Sequence, residues 1–255
     1  MRILIRTSKW AVWARRFGAL ALPLAALPVA LHHSSAISSE QFVAVEAVAM
    51  VIAAIAVAMA LIAFIRLWFT GDRGWARAGF GFGFGMICLL PAAFLGWQYT
   101  RLASATDVST DFTNPPALVT FVEARFVGPE ERRRIDLAYP NARARNYPIE
   151  APQMFALAVE LAGLNGWDLR AQRAPLGALD TGTLNAIVTT LLGFRQEVAI
   201  RIAGGADGTT IDMRSTALSD FPDFGQNGQR IEGFLLALDD RVTQILRNAP
   251  VPAVE

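Results

Sequence analysis

Histidine, cysteine and lysine are nearly missing from this chain of 255 residues. The carboxy-terminal part, residues 101–255, contains none of the three. This part therefore has no serine–histidine, cysteine–histidine or serine–lysine catalytic pair, no lysine for a Schiff base and no zinc site of the usual nitrogen and sulfur ligands. The single cysteine, Cys88, also excludes a disulfide-rich scaffold. We expect no metal site and no cofactor, which leaves carboxylates, arginines and tyrosines for any chemistry.

Charge and apolar residues are distributed unevenly along the chain. Residues 1–100 hold 8 basic and 3 acidic residues, a net charge of +5, whereas residues 101–255 hold 15 and 19, a net charge of −4. Hydrophobic residues make up 53% of the whole. An apolar, basic N-terminal region therefore precedes a polar domain of 155 residues, which is long enough to bury its own core. A fully soluble protein and a disordered chain are both excluded.

Three apolar segments in residues 1–100 predict membrane-spanning helices, at about 13–31, 42–65 and 79–99. The second and third have the length of about 20 residues that a span requires. The first is shorter and contains Pro23 and Pro28, so it reads either as a span or as a cleaved signal peptide. We favour an uncleaved span, because no good cleavage site follows its apolar core.

Arginine and lysine predict the orientation of these spans. The tail 1–16 carries five basic residues and no acid, the loop 66–78 carries three basic residues and one acid, and the loop 32–41 carries no basic residue. The tail and the loop 66–78 are therefore predicted to be cytoplasmic, which places residues 101–255 outside the cytoplasm. Arginine outnumbers lysine 22 to 1, a usage typical of GC-rich bacteria. We expect a multi-pass protein of the bacterial inner membrane with a periplasmic domain.

Glycine recurs at every second position early in the third apolar segment, at Gly79, Gly81, Gly83 and Gly85. On a helix these residues form two pairs four positions apart, a spacing that lets helices approach closely. The pattern does not match the glycine-rich loop of a nucleotide-binding fold. Packing among the three spans is the favoured interpretation, and a homo-oligomer formed through this helix is the alternative.

Residues 101–255 predict an α+β domain, an antiparallel sheet covered by helices. Helices are expected from Pro129, from Pro152 to about 164, and over 227–247, where apolar residues recur at helical spacing. Strands are expected over 167–173 and 184–194. The clearest element is a hairpin over 197–215, in which apolar and polar residues alternate on both sides of a glycine-rich turn.

Residues that face each other in a hairpin share one side of the sheet, and this fixes the predicted register. Pairing Ile202 with Ile211, and Ile200 with Met213, collects the apolar side chains on one face. The same register places Arg201 opposite Asp212 on the other face and puts Glu197 diagonal to Arg214. The hairpin therefore has one apolar face and one charged face.

Five ordered motifs of this domain are similar to those of the bacterial family called domain of unknown function 1499. They are Asp107-Val-Ser-Thr-Asp-Phe-Thr-Asn-Pro-Pro116, Tyr139-Pro140, Gly193-Phe-Arg-Gln-Glu-Val-Ala-Ile-Arg201, Asp212-Met-Arg-Ser-Thr216 and Gly225-Gln-Asn-Gly-Gln-Arg-Ile231. The resemblance covers about 105–245. It implies a setting in the cell envelope and assigns no activity. Residues 217–220 depart from the family pattern.

The candidate site combines the charged hairpin face with the entry of the last helix. Its residues are Arg201, Asp212, Arg214, Asn227 and Arg230. They form either a polar recognition site or a structural network of cross-strand pairs, and the second interpretation is favoured. Asp107 and Asp111 are read as turn and cap residues rather than calcium ligands. The triple arginine 132–134 is read as a solvated face rather than a nucleic-acid site, because the domain is acidic overall.

Three functions remain open from the sequence. The leading hypothesis is a membrane protein without enzymatic activity, whose periplasmic domain binds an envelope component, either a partner protein or a lipid-like ligand. The second is a carboxylate-dependent hydrolase that acts on an envelope polymer. The third is a subunit of a membrane complex in which the domain forms a lid. Nucleic acid is not expected as a partner.

Overall fold

The chain forms two units, an N-terminal group of three helices and a C-terminal domain with a sheet. The structure is a computed structural model that describes residues 6–101, 105–120, 127–219 and 221–248. Residues 1–5 of the basic tail and residues 102–104, near the predicted start of the domain, lie outside the described residues. The same holds for residue 220, which belongs to the segment that departs from the family pattern.

The N-terminal unit consists of α1 (Lys9–His33), α2 (Ser39–Thr70) and α3 (Trp75–Arg101). All three helices are long and apolar enough to cross a membrane. The first is longer than the predicted span 13–31, because it begins at Lys9 and ends at His33. Both prolines lie inside the helix. In α2, Ser38 and Gln41 form a capping box at the start, and Gly71 adopts a left-handed conformation (φ 66°) at the end.

Small residues bring the three helices together. The buried side of α2 is a row of alanines at helical spacing, Ala49, Ala53, Ala56, Ala60 and Ala63. In α3, a Cβ at Gly81 would lie 2.4 Å from the backbone carbon of Ala14, and one at Gly85 would lie 2.6 Å from Val57 Cγ2. Nothing lies within 4 Å of the corresponding positions at Gly79 and Gly83. Two of the four glycines thus pack helices within the chain, as the favoured interpretation expected.

The C-terminal domain is built on one antiparallel sheet, which confirms the predicted α+β class. Six strands form it in the order β1-β6-β5-β4-β3, and β2 also pairs with β6. The elements in chain order are β1 (Asp107–Ser109), α4 (Pro129–Ala138), β2 (Arg145–Tyr147), α5 (Ala151–Leu164), β3 (Asp168–Arg173), β4 (Thr181–Thr189), β5 (Arg195–Gly205), β6 (Gly208–Ala217) and α6 (Gln226–Asn248).

The hairpin β5–β6 has the predicted register. Ile202 pairs with Ile211, Ile200 with Met213 and Arg201 with Asp212. The prediction of a strand over 184–194 is wrong at its C-terminal end, because β4 ends at Thr189 and residues 190–194 form a turn. Gly193 takes a left-handed conformation within this turn (φ 88°), which glycine adopts without strain.

Helices α5 and α6 lie against the apolar face of the sheet. Their buried side chains join those of β4, β5 and β6 in a single core. In α6 the ring of Phe234 stacks on that of Trp167 with centroids 4.9 Å apart, and Ile231, Leu235 and Leu238 are fully buried beside it. Burial of each such side chain contributes roughly 1.5–3 kcal/mol. The amphipathic pattern of the last helix therefore predicted which face of the sheet is covered.

The opposite face of the sheet is polar and is buried as well. Its side chains come from alternate positions of β1, β4, β5 and β6, and they include Asp107, Asn185, Glu197, Asp212 and Arg214, each less than a tenth exposed. An irregular segment, residues 110–120, lies over this face, and we call it the covering segment. Its backbone groups form hydrogen bonds with side chains of the face. We call this surface the polar face, and it carries most of the candidate site.

Candidate functional site

Arg201 and Asp212 form a cross-strand ion pair on the polar face, as the register predicted. Arg201 donates from Nε and Nη2 to Asp212 Oδ2, at 3.1 and 2.7 Å. The same guanidinium donates from Nη2 to Asp111 Oδ2 at 3.2 Å and from Nη1 to the carbonyl oxygen of Asn114 at 2.8 Å. Arg201 therefore uses its three nitrogens to tie the hairpin to the covering segment.

Asp111 is the residue that turns this segment. Its Oδ1 accepts the backbone N–H groups of Thr113 and Asn114, at 2.8 and 3.0 Å, so the interpretation as a turn residue is correct. Its pKa is lowered, chiefly by the backbone hydrogen bond from Asn114 and further by Arg201. A carboxyl group of this kind stays ionised and serves as a fixed acceptor.

Arg214 is paired with Asp107 rather than with its neighbour along the strand, Asp212. The two side chains meet in a bidentate arrangement, with Nε 2.9 Å from Oδ1 and Nη2 2.5 Å from Oδ2. The hydrogen bonds that Arg214 donates to Asp107 raise the pKa of Arg214, against the opposing effect of burial. The interpretation of Asp107 as a turn or cap residue is wrong, because it begins β1 and pairs with Thr216.

Glu197 is the most deeply buried acid on the polar face, with 1% of its surface exposed. Its carboxylate accepts the backbone N–H groups of Val119 and Thr120, at 2.6 and 2.9 Å, and the side-chain amide of Asn185 at 3.1 Å. The register places it diagonal to Arg214, as predicted. Glu197 thus binds the C-terminal end of the covering segment, whereas Arg201 binds its N-terminal part.

Asn227 and Arg230 lie on the other side of the sheet, apart from the other three candidates. Both contact Ser215, which points to the apolar face: Ser215 Oγ donates to Asn227 Oδ1 at 2.8 Å and accepts from Arg230 Nη1 at 3.0 Å. Asn227 Nδ2 also donates to the carbonyl oxygen of Ala105 at 3.1 Å. Burial lowers the pKa of Arg230 to about 10. The structure therefore divides the five predicted residues into two separate clusters.

A cavity of about 120 Å³ lies at the edge of the polar face. Its lining comes from β1, β6, α4 and the covering segment, through Asp107, Ser109, Phe112, Pro115, Val127, Arg132 and Arg214. The volume is several times the roughly 30 Å³ of one water molecule. The lining holds two arginines and one acid, so the formal charge of these seven residues is +1.

Arg132 is the arginine of this cavity for which the described residues provide no acidic partner. Its guanidinium carbon lies 4.9 Å from the centroid of the Phe112 ring, and its Nε is buried without a hydrogen-bond partner in the described part of the chain. The interpretation of 132–134 as a wholly solvated face is wrong at this residue. Ile135, three positions on, is buried in the core and lies on the same side of α4, which is the sequence signal that could have identified Arg132.

The polar face offers no metal site among the residues that the structure describes, where no group of three or more histidine, cysteine, aspartate or glutamate side chains comes together. Asp107 and Asp111, weighed as calcium ligands, are bonded to different arginines. The arrangement can hold an anionic group through Arg132, because a partly desolvated guanidinium whose Nε has no partner among the described residues is a strong donor to carboxylate or phosphate oxygens.

These features define an α+β domain that follows three membrane-type helices and has a buried polar face with a small basic cavity. The chain belongs to a family described as "Protein of unknown function (DUF1499)", whose model matches residues 107–238, that is 132 of the 255 residues. The matched region begins at the Asp107 of the buried ion pair and ends within α6. Comparisons with curated proteins and with solved structures give no match.

Proposed function

We propose that this chain is an inner-membrane protein of a bacterial envelope, and that its domain outside the cytoplasm binds an anionic group of an envelope component in the Arg132 cavity. The basic tail 1–16 and the loop 32–41, which lacks basic residues, support the orientation. The ligand chemistry is a carboxylate or a phosphate, carried by a lipid headgroup or by a free small molecule.

The single observation that carries the proposal is Arg132 Nε, which is buried without a hydrogen-bond partner among the described residues. Buried polar groups in folded proteins are nearly always satisfied, because an unpaired one costs about 1–3 kcal/mol, and more when it is charged. Asp107 is already neutralised by Arg214. An anion in the cavity would give Arg132 Nε the acceptor that the described residues do not provide, with the Ser109 hydroxyl nearby in the same lining.

The hydrolase hypothesis receives less support from the same face. A general acid for glycoside cleavage needs a raised pKa and an oxygen that can reach the substrate. The pKa of Asp111 is lowered instead, and Asp212 and Asp107 are bonded to arginines. Glu197 accepts three hydrogen bonds beneath the covering segment. These four carboxylates have the environments of structural acceptors, which favours binding over hydrolysis.

The test compares ligand-induced stabilisation in the full chain and two variants. The melting temperature is measured in detergent with added inorganic phosphate or acetate, against sodium chloride of the same ionic strength. At ten times its Kd an anion stabilises the folded state by about 1.4 kcal/mol, which for a domain of this size raises the Tm by roughly 3–6 °C. We expect this shift in the wild type and its loss in Arg132→Gln.

Arg133→Gln is the matched control, because Arg133 is the exposed neighbour of Arg132 on α4. It should keep the wild-type shift. Equal shifts in both variants, or no shift in the wild type with either anion, would overturn the proposal. Native mass spectrometry with phosphatidylglycerol and with phosphatidylcholine then distinguishes a lipid headgroup from a free anion, since retention of the anionic lipid alone, dependent on Arg132, identifies the lipid.

A further inference from the structure

The size of the Arg132 cavity limits what can occupy it. Its volume of about 120 Å³ is somewhat smaller than the about 150 Å³ of an engineered apolar cavity that binds benzene. On that scale the Arg132 cavity has room for about five or six heavy atoms. A larger molecule could therefore place only one end inside it.

The charges of the lining match one negative charge. Asp107 and Arg214 neutralise each other, because Arg214 donates from Nε and Nη2 to the two carboxylate oxygens. Of the described lining residues, Arg132 then carries the remaining charge. A phosphate group with its charge of about −1.5 to −2 near pH 7 would leave the lining negative, beside the carboxylate of Asp107. A monoanion would leave it neutral.

The hydrogen-bond donors of the lining match two acceptor oxygens better than four. Arg132 Nε is buried without a partner among the described residues, and the neighbouring N–H on the same edge of the guanidinium points in the same direction. That edge can bind both oxygens of one carboxylate, as Arg214 binds those of Asp107. The Ser109 hydroxyl donates its proton to the carbonyl oxygen of Asp111 at 2.8 Å, so it is already used as a donor.

Apolar side chains complete the lining, from Phe112, Pro115 and Val127. The guanidinium carbon of Arg132 lies over the Phe112 ring, 4.9 Å from its centroid, and a contact through the face leaves the edge of the guanidinium available. These three side chains donate no hydrogen bond, so additional phosphate oxygens facing them would lose water without compensation. Methylene groups in the same place would be stabilised by burial.

We propose that the Arg132 cavity selects monocarboxylates over phosphate, and that the two or three carbons next to the carboxylate are apolar. The carboxylate binds the edge of Arg132, and the carbons contact Phe112, Pro115 and Val127. This inference rests on the anion binding proposed above and names the class of anion. Two sources share this chemistry, a free short-chain acid and the carboxyl end of a longer acyl chain.

The experiment measures the melting temperature of the full chain in detergent during titration with sodium acetate, butyrate, hexanoate or phosphate. Sodium chloride of the same ionic strength is the reference, and butyramide is the matched uncharged ligand. We expect an apparent Kd for butyrate roughly tenfold below that for acetate, because two more methylene groups leave water. Phosphate should bind more weakly than acetate, and butyramide should give no saturable shift.

A variant of the apolar wall tests the contact with the carbons. Val127→Ala should raise the apparent Kd for butyrate several-fold and leave that for acetate unchanged, since the shorter acid depends mainly on Arg132. Val119→Ala is the matched control, because Val119 is 58% exposed in the covering segment and is not part of the lining. Equal butyrate Kd values in the two variants would overturn the contact with the apolar wall.

The same titrations separate the failure of this inference from the failure of the proposed function. Tighter binding of phosphate than of butyrate would overturn the selection of carboxylates and leave anion binding intact. No shift with any of the four anions would overturn both. If carboxylates are selected, weaker binding of hexanoate than of butyrate identifies a free short-chain acid. Equal or tighter binding of hexanoate identifies the carboxyl end of a longer chain.

Discussion

Arg214 and Asp107 lie 107 residues apart in the chain and form a bidentate ion pair within the described residues of the sheet. Both side chains are nearly inaccessible to water. The pair joins the first strand of the domain to the last, and it also forms one wall of the Arg132 cavity. Its geometry favours a structural role for Arg214, which supports the network interpretation of the hairpin cluster.

Replacement of Arg214 should therefore destabilise the protein strongly. In Arg214→Ala the carboxylate of Asp107 is left buried without its cation, and breaking a buried pair in this way costs about 3–5 kcal/mol. We expect a fall of many degrees in the melting temperature of the full chain in detergent. Arg170→Ala is the control, because Arg170 pairs with Asp168 on the surface and exposed pairs contribute under about 1 kcal/mol. Equal Tm values for the two variants would contradict the structural role.

The register of the hairpin can be tested by a double-mutant cycle on Arg201 and Asp212. Residues that share hydrogen bonds show coupling energies of about 0.5–3 kcal/mol, whereas separated residues are nearly additive. We expect a positive coupling in the cycle of Arg201→Ala with Asp212→Ala, measured by denaturation of the full chain. A cycle on Arg170 and Asp212, which have no common partner among the described residues, should be additive. Additivity in both cycles would be evidence against the ion pair.

The charge of Asp111 should make part of the stability depend on pH. Its pKa is lowered in the folded state, so its contribution is complete above the pKa of an unfolded aspartate, about 3.9, and disappears as the pH falls through the lower folded value. Asp111→Asn keeps an oxygen for the amides of Thr113 and Asn114 but removes the charge. We expect a lower Tm than wild type at pH 6 and a gap that closes below about pH 4.

Asp136→Asn, at an exposed position of α4, is the control for this titration and should have the wild-type Tm across the range. A gap between Asp111→Asn and wild type that stays constant from pH 6 to pH 3 would mean that the charge of Asp111 does not contribute. Melting curves at half-unit intervals are sufficient to distinguish the two results.

Two glycines of α6 should respond in opposite directions to the same substitution. A Cβ at Gly228 would lie 2.4–2.5 Å from three ring atoms of Tyr139, whose hydroxyl donates to the carbonyl oxygen of Gly225. Gly228→Ala should therefore lower stability by about 1–3 kcal/mol through overpacking. Gly233 has nothing within 4 Å of that position, so Gly233→Ala should raise stability by up to about 1 kcal/mol. Thermal denaturation of both variants measures the contrast.

The orientation that the loop charges predict can be tested with periplasmic reporters. A reporter that is active only outside the cytoplasm should be active when fused after Glu255 and inactive when fused at Gly71, which ends α2. Both fusions must be present in the membrane in similar amounts for the comparison to hold. The reverse pattern of activity would refute the orientation that the loop charges predict.

The hairpin could be predicted from the sequence because its information is local. Strict alternation over 197–215 allows one register that gives an apolar face, and the same register places Arg201 against Asp212. The pairing of Arg214 with Asp107 could not be predicted in this way. The strand β1 has three residues, too few for a pattern, and its partner lies more than a hundred residues away.

The separation of the five candidate residues into two clusters could have been predicted from two features of the sequence. The last helix covers the apolar face, and Arg201, Asp212 and Arg214 occupy the alternate positions of the strands, so Asn227 and Arg230 had to lie on the other side. The cavity at Arg132 could not be predicted from the sequence, because it depends on how the irregular segment 110–120 lies over the sheet. No periodicity fixes such a segment; Glu197 and Arg201 hold it through backbone groups.

Because β1 pairs with β6, the sheet of the domain cannot be completed until β6 has been synthesised. The first residues to follow the membrane helices acquire their partners from residues 214–216 of β6 and, through Ala105, from Asn227 of α6. During synthesis these segments are among the last to leave the ribosome, and contacts of such long range form slowly. A chain cut short before β6 would leave β1 unpaired and the core open. Resistance to proteolysis should therefore distinguish full-length chains from truncated ones.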